Sequence, residues 1–153
     1  MTLCVMKEII ILRGLPFSGK TTWAEKFKER KKDAASIDLN EIAEANADLP
    51  KAARWAVVRN NLEDVVSQYE TILINDVNIL PSSIQSLLDF FSYYALIHRE
   101  LFTVEIKDFH TPYLLCVKRA QDAGVDERAL RRMRFLHNYC LRRKIIYNDE
   151  ENS

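Results

Sequence analysis

Residues 14–21 read GLPFSGKT, which satisfies the G-x-x-x-x-G-K-[ST] pattern of a phosphate-binding loop. The context constrains the fold more than the string does. An apolar run, EIIIL at 8–12, leads into it, and a helix-like stretch at 22–30 follows. A strand, a glycine-containing loop and a helix form the unit that cradles nucleotide phosphates. Backbone N–H groups of such a loop and of the helix N-terminus point at the anion. Gly14 and Gly19 supply the backbone freedom the loop requires. Leu15, Pro16, Phe17 and Ser18 form its span, and Thr22 continues it into the helix. Lys20 is positioned to reach the β and γ phosphates, and the Thr21 hydroxyl to bind Mg²⁺. The pattern therefore predicts a chain that binds ATP or another nucleoside triphosphate together with Mg²⁺.

The rest of the chain alternates between strand-like and helix-like segments, which predicts an α/β fold with a mostly parallel sheet. Strands are expected at 8–13, 34–38, 71–75 and 101–106. Helices are expected at 20–31, 40–47, 51–69, 82–98, 111–122 and 126–144. In the third helix, Trp55, Val58, Leu62, Val65, Val66 and Tyr69 recur at helical spacing and should face the sheet. Pro50 and Pro81 suit the first turns of their helices. At 153 residues and 48% hydrophobic content, one domain over 1–148 is expected, with a frayed tail at 149–153. No apolar run approaches the roughly 20 residues of a membrane span, and no signal-peptide pattern precedes the first strand. Cys4, Cys116 and Cys140 lack metal-ligand spacing, so reduced thiols and a cytoplasmic location are expected.

Net charge is zero but unevenly distributed. From Lys118 to Lys144 there are nine basic residues against Asp122, Asp126 and Glu127. Such a segregated face suits a polyanion, either nucleotide or nucleic acid; the plainer alternative is a solvated helix face.

Open parallel sheets bind ligands beyond the C-terminal ends of their strands. That rule selects Asp38, Asn40 and Glu41 after the second strand. It also selects Asn75, Asp76 and Asn78 after the third, and Lys107, Asp108 and His110 after the fourth. Asp76 is expected to face the phosphate loop. Asp38 or Glu41 could orient an acceptor hydroxyl, while one of Asp38 and Asn40 should cap the next helix. Arg119, followed by a short segment containing Gly124 and then by Arg128, Arg131, Arg132 and Arg134, reads as a short helical lid that closes arginines over transferring phosphate. His98, His110 and His137 are scattered and read as structural. Trp23 and Phe27 read as core rather than as base-stacking platforms.

Several stretches together resemble a known family. IIILRGLPFSGKTTWAEKF at 9–27 is similar to the start of the 5′-kinase domain of T-even bacteriophage polynucleotide kinases, in particular through Thr-Trp-Ala after the loop. In order, ILINDVNILP at 72–81, VEIKDFHTPYLLCVKR at 104–119, VDERALRRM at 125–133 and Ile-Tyr-Asn at 146–148 resemble further segments of that domain. The resemblance covers roughly residues 7–148. It implies a P-loop kinase fold and transfer of the γ-phosphoryl group of an NTP to a 5′-hydroxyl of DNA or RNA. For a phage-encoded chain, it implies a host-cytoplasm location. Lys20 and Thr21 match the family's phosphate and metal residues, Asp76 matches the aspartate near the acceptor, and Arg119 is retained.

The pattern also departs from that family. Where it carries Asp-Asp-x-Arg after the second strand, with the first Asp as base, this chain has Asn40, Glu41 and Ala43. Ala123 stands where the family lid has an arginine beside the glycine. Three readings follow: a polynucleotide 5′-kinase with Asp38 or Glu41 as base, a kinase for a nucleoside or other small acceptor, and a nucleotide-binding pseudokinase.

Overall fold

Residues Met6–Arg13 form the first strand, β1. Their apolar run is continuous rather than alternating, as a strand covered on both faces requires. Ile9, Ile11 and Leu12 are completely buried. The computed structural model describes residues 6–76 and 81–143. After β1 come α1 (Lys20–Arg30), β2 (Ala34–Asp38), α2 (Leu39–Ala45), α3 (Lys51–Gln68) and β3 (Thr71–Asn75). Then follow α4 (Pro81–His98), β4 (Leu101–Asp108), α5 (Tyr113–Asp122) and α6 (Glu127–Arg143).

The strands form one parallel sheet in the order β2-β3-β1-β4. The chain leaves β1 towards β2 and leaves β3 towards β4, on opposite sides. The order therefore reverses between β1 and β3, the position where doubly wound sheets open a crevice at their C-terminal edge.

Residue parity divides the core. Ile9, Ile11, Ile37, Ile72 and Ile74 pack on Val58, Leu62 and Val66 of α3 and on Leu87, Phe90, Phe91 and Tyr94 of α4. Ile10, Leu12 and Leu73 meet Ala24 of α1, with Trp23, Phe27 and Phe109 around them. A third cluster holds the α5–α6 hairpin against the phosphate loop through Leu15, Cys116, Ala120, Met133, Leu136 and Cys140. Gly124, at φ 77, makes the left-handed turn out of α5, and Asp126 caps α6 by accepting from the Ala129 N–H at 2.8 Å.

The α3 stripe is narrower than its periodicity implied. Val58, Leu62 and Val66 are buried, but Trp55 and Tyr69 are more than one-third exposed. Pro50 is the N-cap of α3 rather than a residue of its first turn. β4 runs two residues beyond the expected end, because Lys107 and Asp108 stay in register with Leu12 and Arg13. Cys4, Asn78, the Ile-Tyr-Asn at 146–148 and the tail at 149–153 lie outside the described residues.

One buried lysine was not anticipated from the sequence. Lys7 is 5% exposed and donates to the carbonyls of Val66 and, at 2.9 Å, Tyr69, at the C-terminal end of α3. A cation there satisfies carbonyls that the helix leaves without intrahelical partners. Lys7→Met should lower unfolding free energy by about 1–3 kcal/mol, the cost of orphaned buried acceptors. Urea denaturation of the variant measures this, and an unchanged midpoint would remove the capping role.

Candidate active site

The loop between β1 and α1 needs its glycines for two different reasons. A Cβ on Gly14 would lie 2.8 Å from Ser18 Oγ and 3.0 Å from Phe109 Cβ, so any side chain there would force its neighbours to move. Gly19 sits at φ 101, a backbone region that L side chains rarely adopt. Phe17 holds a positive φ of 66 without being glycine, and its carbonyl accepts from Arg119 Nη1 at 3.0 Å. Thr111 Oγ1 donates to the Ser18 carbonyl at 2.6 Å. The loop is thus clamped by two residues from the β4–α5 side of the sheet.

Lys20 opens α1 and is 7% exposed. Its Nζ donates to the carbonyls of Gly14 at 2.9 Å and Leu15 at 2.7 Å, and lies 3.4 Å from Ser18 Oγ. Burial pulls its pKa down to about 8, opposed by the charge of Asp76 first and then by Cys116 and Asp38. Next to it, Thr21 Oγ1 accepts from Asn75 Nδ2 at 3.0 Å. Asn75 is 7% exposed at the end of β3. It fixes the Thr21 hydroxyl while leaving that oxygen a second lone pair.

Phe17, Ser18, Gly19, Lys20, Thr21, Thr22 and Arg119 line one cleft of about 670 Å³, together with Trp23, Lys26, Phe109 and Thr111. Gly14 and Leu15 lie beneath it as acceptors for Lys20, and Pro16 makes the turn into Phe17. Asp38 ends β2, caps α2 by accepting from the Glu41 N–H at 2.9 Å, and acts on the Lys20 charge. Asp76 follows β3 and is the strongest carboxylate influence on Lys20. None of Asp38, Asp76, Glu41 and Arg128 is among the residues lining the cleft, and Glu41 and Arg128 are exposed. Asn40 is exposed and donates to Glu44 at 3.2 Å. Asp108 is held by Arg13 in a two-point ion pair at 2.5 and 3.0 Å.

Trp23 packs among core aromatics, as expected, and its surface also reaches the cleft. It packs on Phe27 at 5.2 Å and edge-on to Phe109 at 6.0 Å. Lys107 Nζ lies 5.2 Å from the Trp23 ring centroid. His98 stacks on Tyr94 at 4.0 Å and His137 on Tyr113 at 4.1 Å, the structural roles expected of them. Asn75 stood among the cleft residues of the sequence without a role, and Thr111 and Lys26 were not singled out. Only the position of Asn75, a polar residue closing a buried strand, carried a signal.

The Lys20 pKa has a pH consequence. Between about pH 8 and its ordinary 10.5, the unfolded chain holds this proton more readily than the folded one. Stability therefore rises with pH across that window. An anion bound at the ammonium favours the charged form, so a phosphate seated there would bring a proton with it. Affinity should fall by up to about tenfold per pH unit above pH 8. ATP titrations across the window test this; a flat profile contradicts the contact between Lys20 and phosphate.

No family model matches this sequence, and no curated protein matches it. Solved structures do. A chain of the Pnkp1/Rnl/Hen1 RNA repair complex is 17% identical with a TM-score of 0.64, covering 93% of this chain and 47% of its own length. A second structure of a Pnkp1/Rnl/Hen1 complex gives 17% identity and a TM-score of 0.61, over 82% of this chain and 43% of the other. A shikimate kinase from Acinetobacter baumannii is 19% identical with a TM-score of 0.53, over 94% and 82% of the two chains. A gluconokinase from Sinorhizobium meliloti 1021 is 12% identical with a TM-score of 0.56, over 88% and 76%. The fold is that of the P-loop kinases. This chain spans less than half the length of the two chains from the Pnkp1/Rnl/Hen1 complexes. Among the described residues, no helix is long and apolar enough to cross a membrane.

Proposed function

We propose that this P-loop kinase fold transfers the γ-phosphoryl group of ATP to the 5′-hydroxyl of a polynucleotide. The observation that carries the reading is Lys20, buried at the centre of the loop and acted on by carboxylates from the ends of β2 and β3. Donor phosphates and acceptor hydroxyl then meet at the switch point of the sheet. The choice of acceptor rests on the ordered resemblance to phage-type polynucleotide kinases. It is supported by the RNA repair complexes among the structures of like fold.

In this reading Lys20 and the loop N–H groups neutralise the β and γ oxygens. The acceptor oxygen bonds to the γ phosphorus, the bond to the β-γ bridging oxygen breaks, and ADP leaves. The hydroxyl proton passes to Asp38, with Asp76 beside the acceptor. Arg119, already at the rim of the loop, stabilises charge on the moving group. The donor set suits Mg²⁺, a hard cation that takes oxygen ligands. Thr21 Oγ1, oriented by Asn75, would hold it with the nucleotide phosphates and water. Bound there, the ion supplies additional neutralisation of phosphate charge. The buried thiols Cys116 and Cys140 suit a reducing compartment.

Ala43 motivates a second reading, a small acceptor without a phosphate for an arginine to grip. ADP release measured with 5′-hydroxyl oligonucleotides, nucleosides and small polyols as acceptors separates the two. Stimulation by oligonucleotides is the expected result. A stronger response to a small molecule would overturn the acceptor assignment, and ATP binding without turnover on any acceptor would establish a pseudokinase.

A further inference from the structure

Helix α6 has one outward stripe that the cleft does not use. Met133, Leu136 and Cys140 face the core, and opposite them run Arg128, Arg131, Phe135, Asn138 and Arg142, all exposed. No acidic residue follows Glu127 on this helix. Among the described residues the ion pairs are Arg13–Asp108, Lys28–Glu25 and Lys31–Glu8, so none neutralises the stripe. An ordinary solvated helix face mixes both charge signs; this one does not, on a chain whose net charge is zero. Phe135, at 52% exposure, sits in the middle of the arginines.

Guanidinium groups for phosphates and a flat exposed ring for a base are the two components of sequence-tolerant single-strand binding. We propose that the outward face of α6 is a track for single-stranded nucleic acid. From Arg128 to Arg142 the helix rises about 21 Å, roughly six stacked nucleotides at about 3.4 Å each. An anionic membrane fits less well, because the apolar face of α6 that would enter lipid is occupied by the core. α6 follows α5, whose Arg119 lines the cleft, so the strand is held on the same hairpin that reaches the phosphate loop. The inference deepens the 5′-kinase reading and rests on it for the choice of polyanion.

The test is fluorescence anisotropy with a labelled single-stranded oligonucleotide that already carries a 5′-phosphate, without ATP, over a range of salt. The native chain should bind. Arg131→Gln with Arg142→Gln should weaken binding and flatten the slope of log affinity against log salt by about 1.4, about 0.7 for each phosphate no longer neutralised. Arg131→Lys with Arg142→Lys should keep the slope. Phe135→Ala should weaken binding roughly ten- to a hundredfold at unchanged slope. Melting temperatures within a few degrees of native are required of each variant, and Phe135→Ala carries the test where the Gln pair does not fold.

Unchanged affinity and slope in the Gln pair, or polyglutamate binding as tightly as the oligonucleotide, would overturn the inference. Weakened binding in these variants of a chain that transfers no phosphate would keep the track and remove the kinase reading. Native binding and turnover in the variants of an active kinase would do the reverse.

Discussion

Lys20→Met should abolish both phosphoryl transfer and stabilisation by ATP while leaving the protein folded. The ammonium is the one side-chain charge at the centre of the loop, 2.9 and 2.7 Å from two loop carbonyls. Its removal leaves the Gly14 and Leu15 carbonyls short of a donor, a cost of about 1–3 kcal/mol each where buried. Relief of a desolvated charge offsets part of that cost. The methionine chain replaces most of the aliphatic stem, so the variant should stay folded, less stable than native by at most a few kcal/mol. Catalysis has no such compensation. Preorganised charge on the moving phosphoryl group is worth about 10²–10³ in turnover for a single donor, and in the proposed reaction this donor serves two phosphates. The native chain with ATP at about 100 times its Kd gains about 2.7 kcal/mol, visible as a rise in melting temperature. The variant should show almost none of it. An unchanged ATP-dependent melting shift in Lys20→Met would mean that nucleotide does not sit on this loop.

Asp38→Asn should lower turnover by about 10²–10⁴, the range for loss of a general base, with no loss of stability. The substitution suits the site because Asp38 is also the N-cap of α2, accepting from the Glu41 N–H at 2.9 Å. Asparagine caps a helix about as well as aspartate. The fold therefore keeps its hydrogen bond, and the assay reads only the carboxylate. Glu41→Gln is the control. Glu41 is exposed, and it is not among the groups that act on Lys20. A large loss in Glu41→Gln with a silent Asp38→Asn would exchange the two roles.

The parts of this fold that were legible in the sequence are those with local or periodic causes. The continuous apolar runs of β1 and β3 announce strands buried on both faces, and GLPFSGKT announces the turn between strand and helix. Element boundaries fall within two residues of expectation. The β4 end and the α5 start differ because each answers to a distant partner. β4 is prolonged by pairing with β1, and Thr111, expected inside α5, instead bonds the Ser18 carbonyl 93 positions away in sequence.

The same distance hides much of the site. Asn75 meets Thr21 across 54 positions, Arg119 meets Phe17 across 102, and Lys7 meets α3 across about 60. Each is a polar side chain whose partner is a backbone or hydroxyl group with no sequence signature of its own. Periodicity and spacing cannot reveal such pairs; only the sheet order, which places β3 and β4 on either side of β1, brings them together.

The central claim is tested most directly by incubating the chain with Mg²⁺ and ATP labelled in the γ-phosphate, together with a 5′-hydroxyl oligonucleotide. The same oligonucleotide bearing a 5′-phosphate serves as the control. Label should appear on the 5′-hydroxyl strand alone, removable by a phosphatase as a terminal monoester, and be absent with Lys20→Met. Label on neither strand, from a protein that ATP stabilises against heat, would contradict the claim.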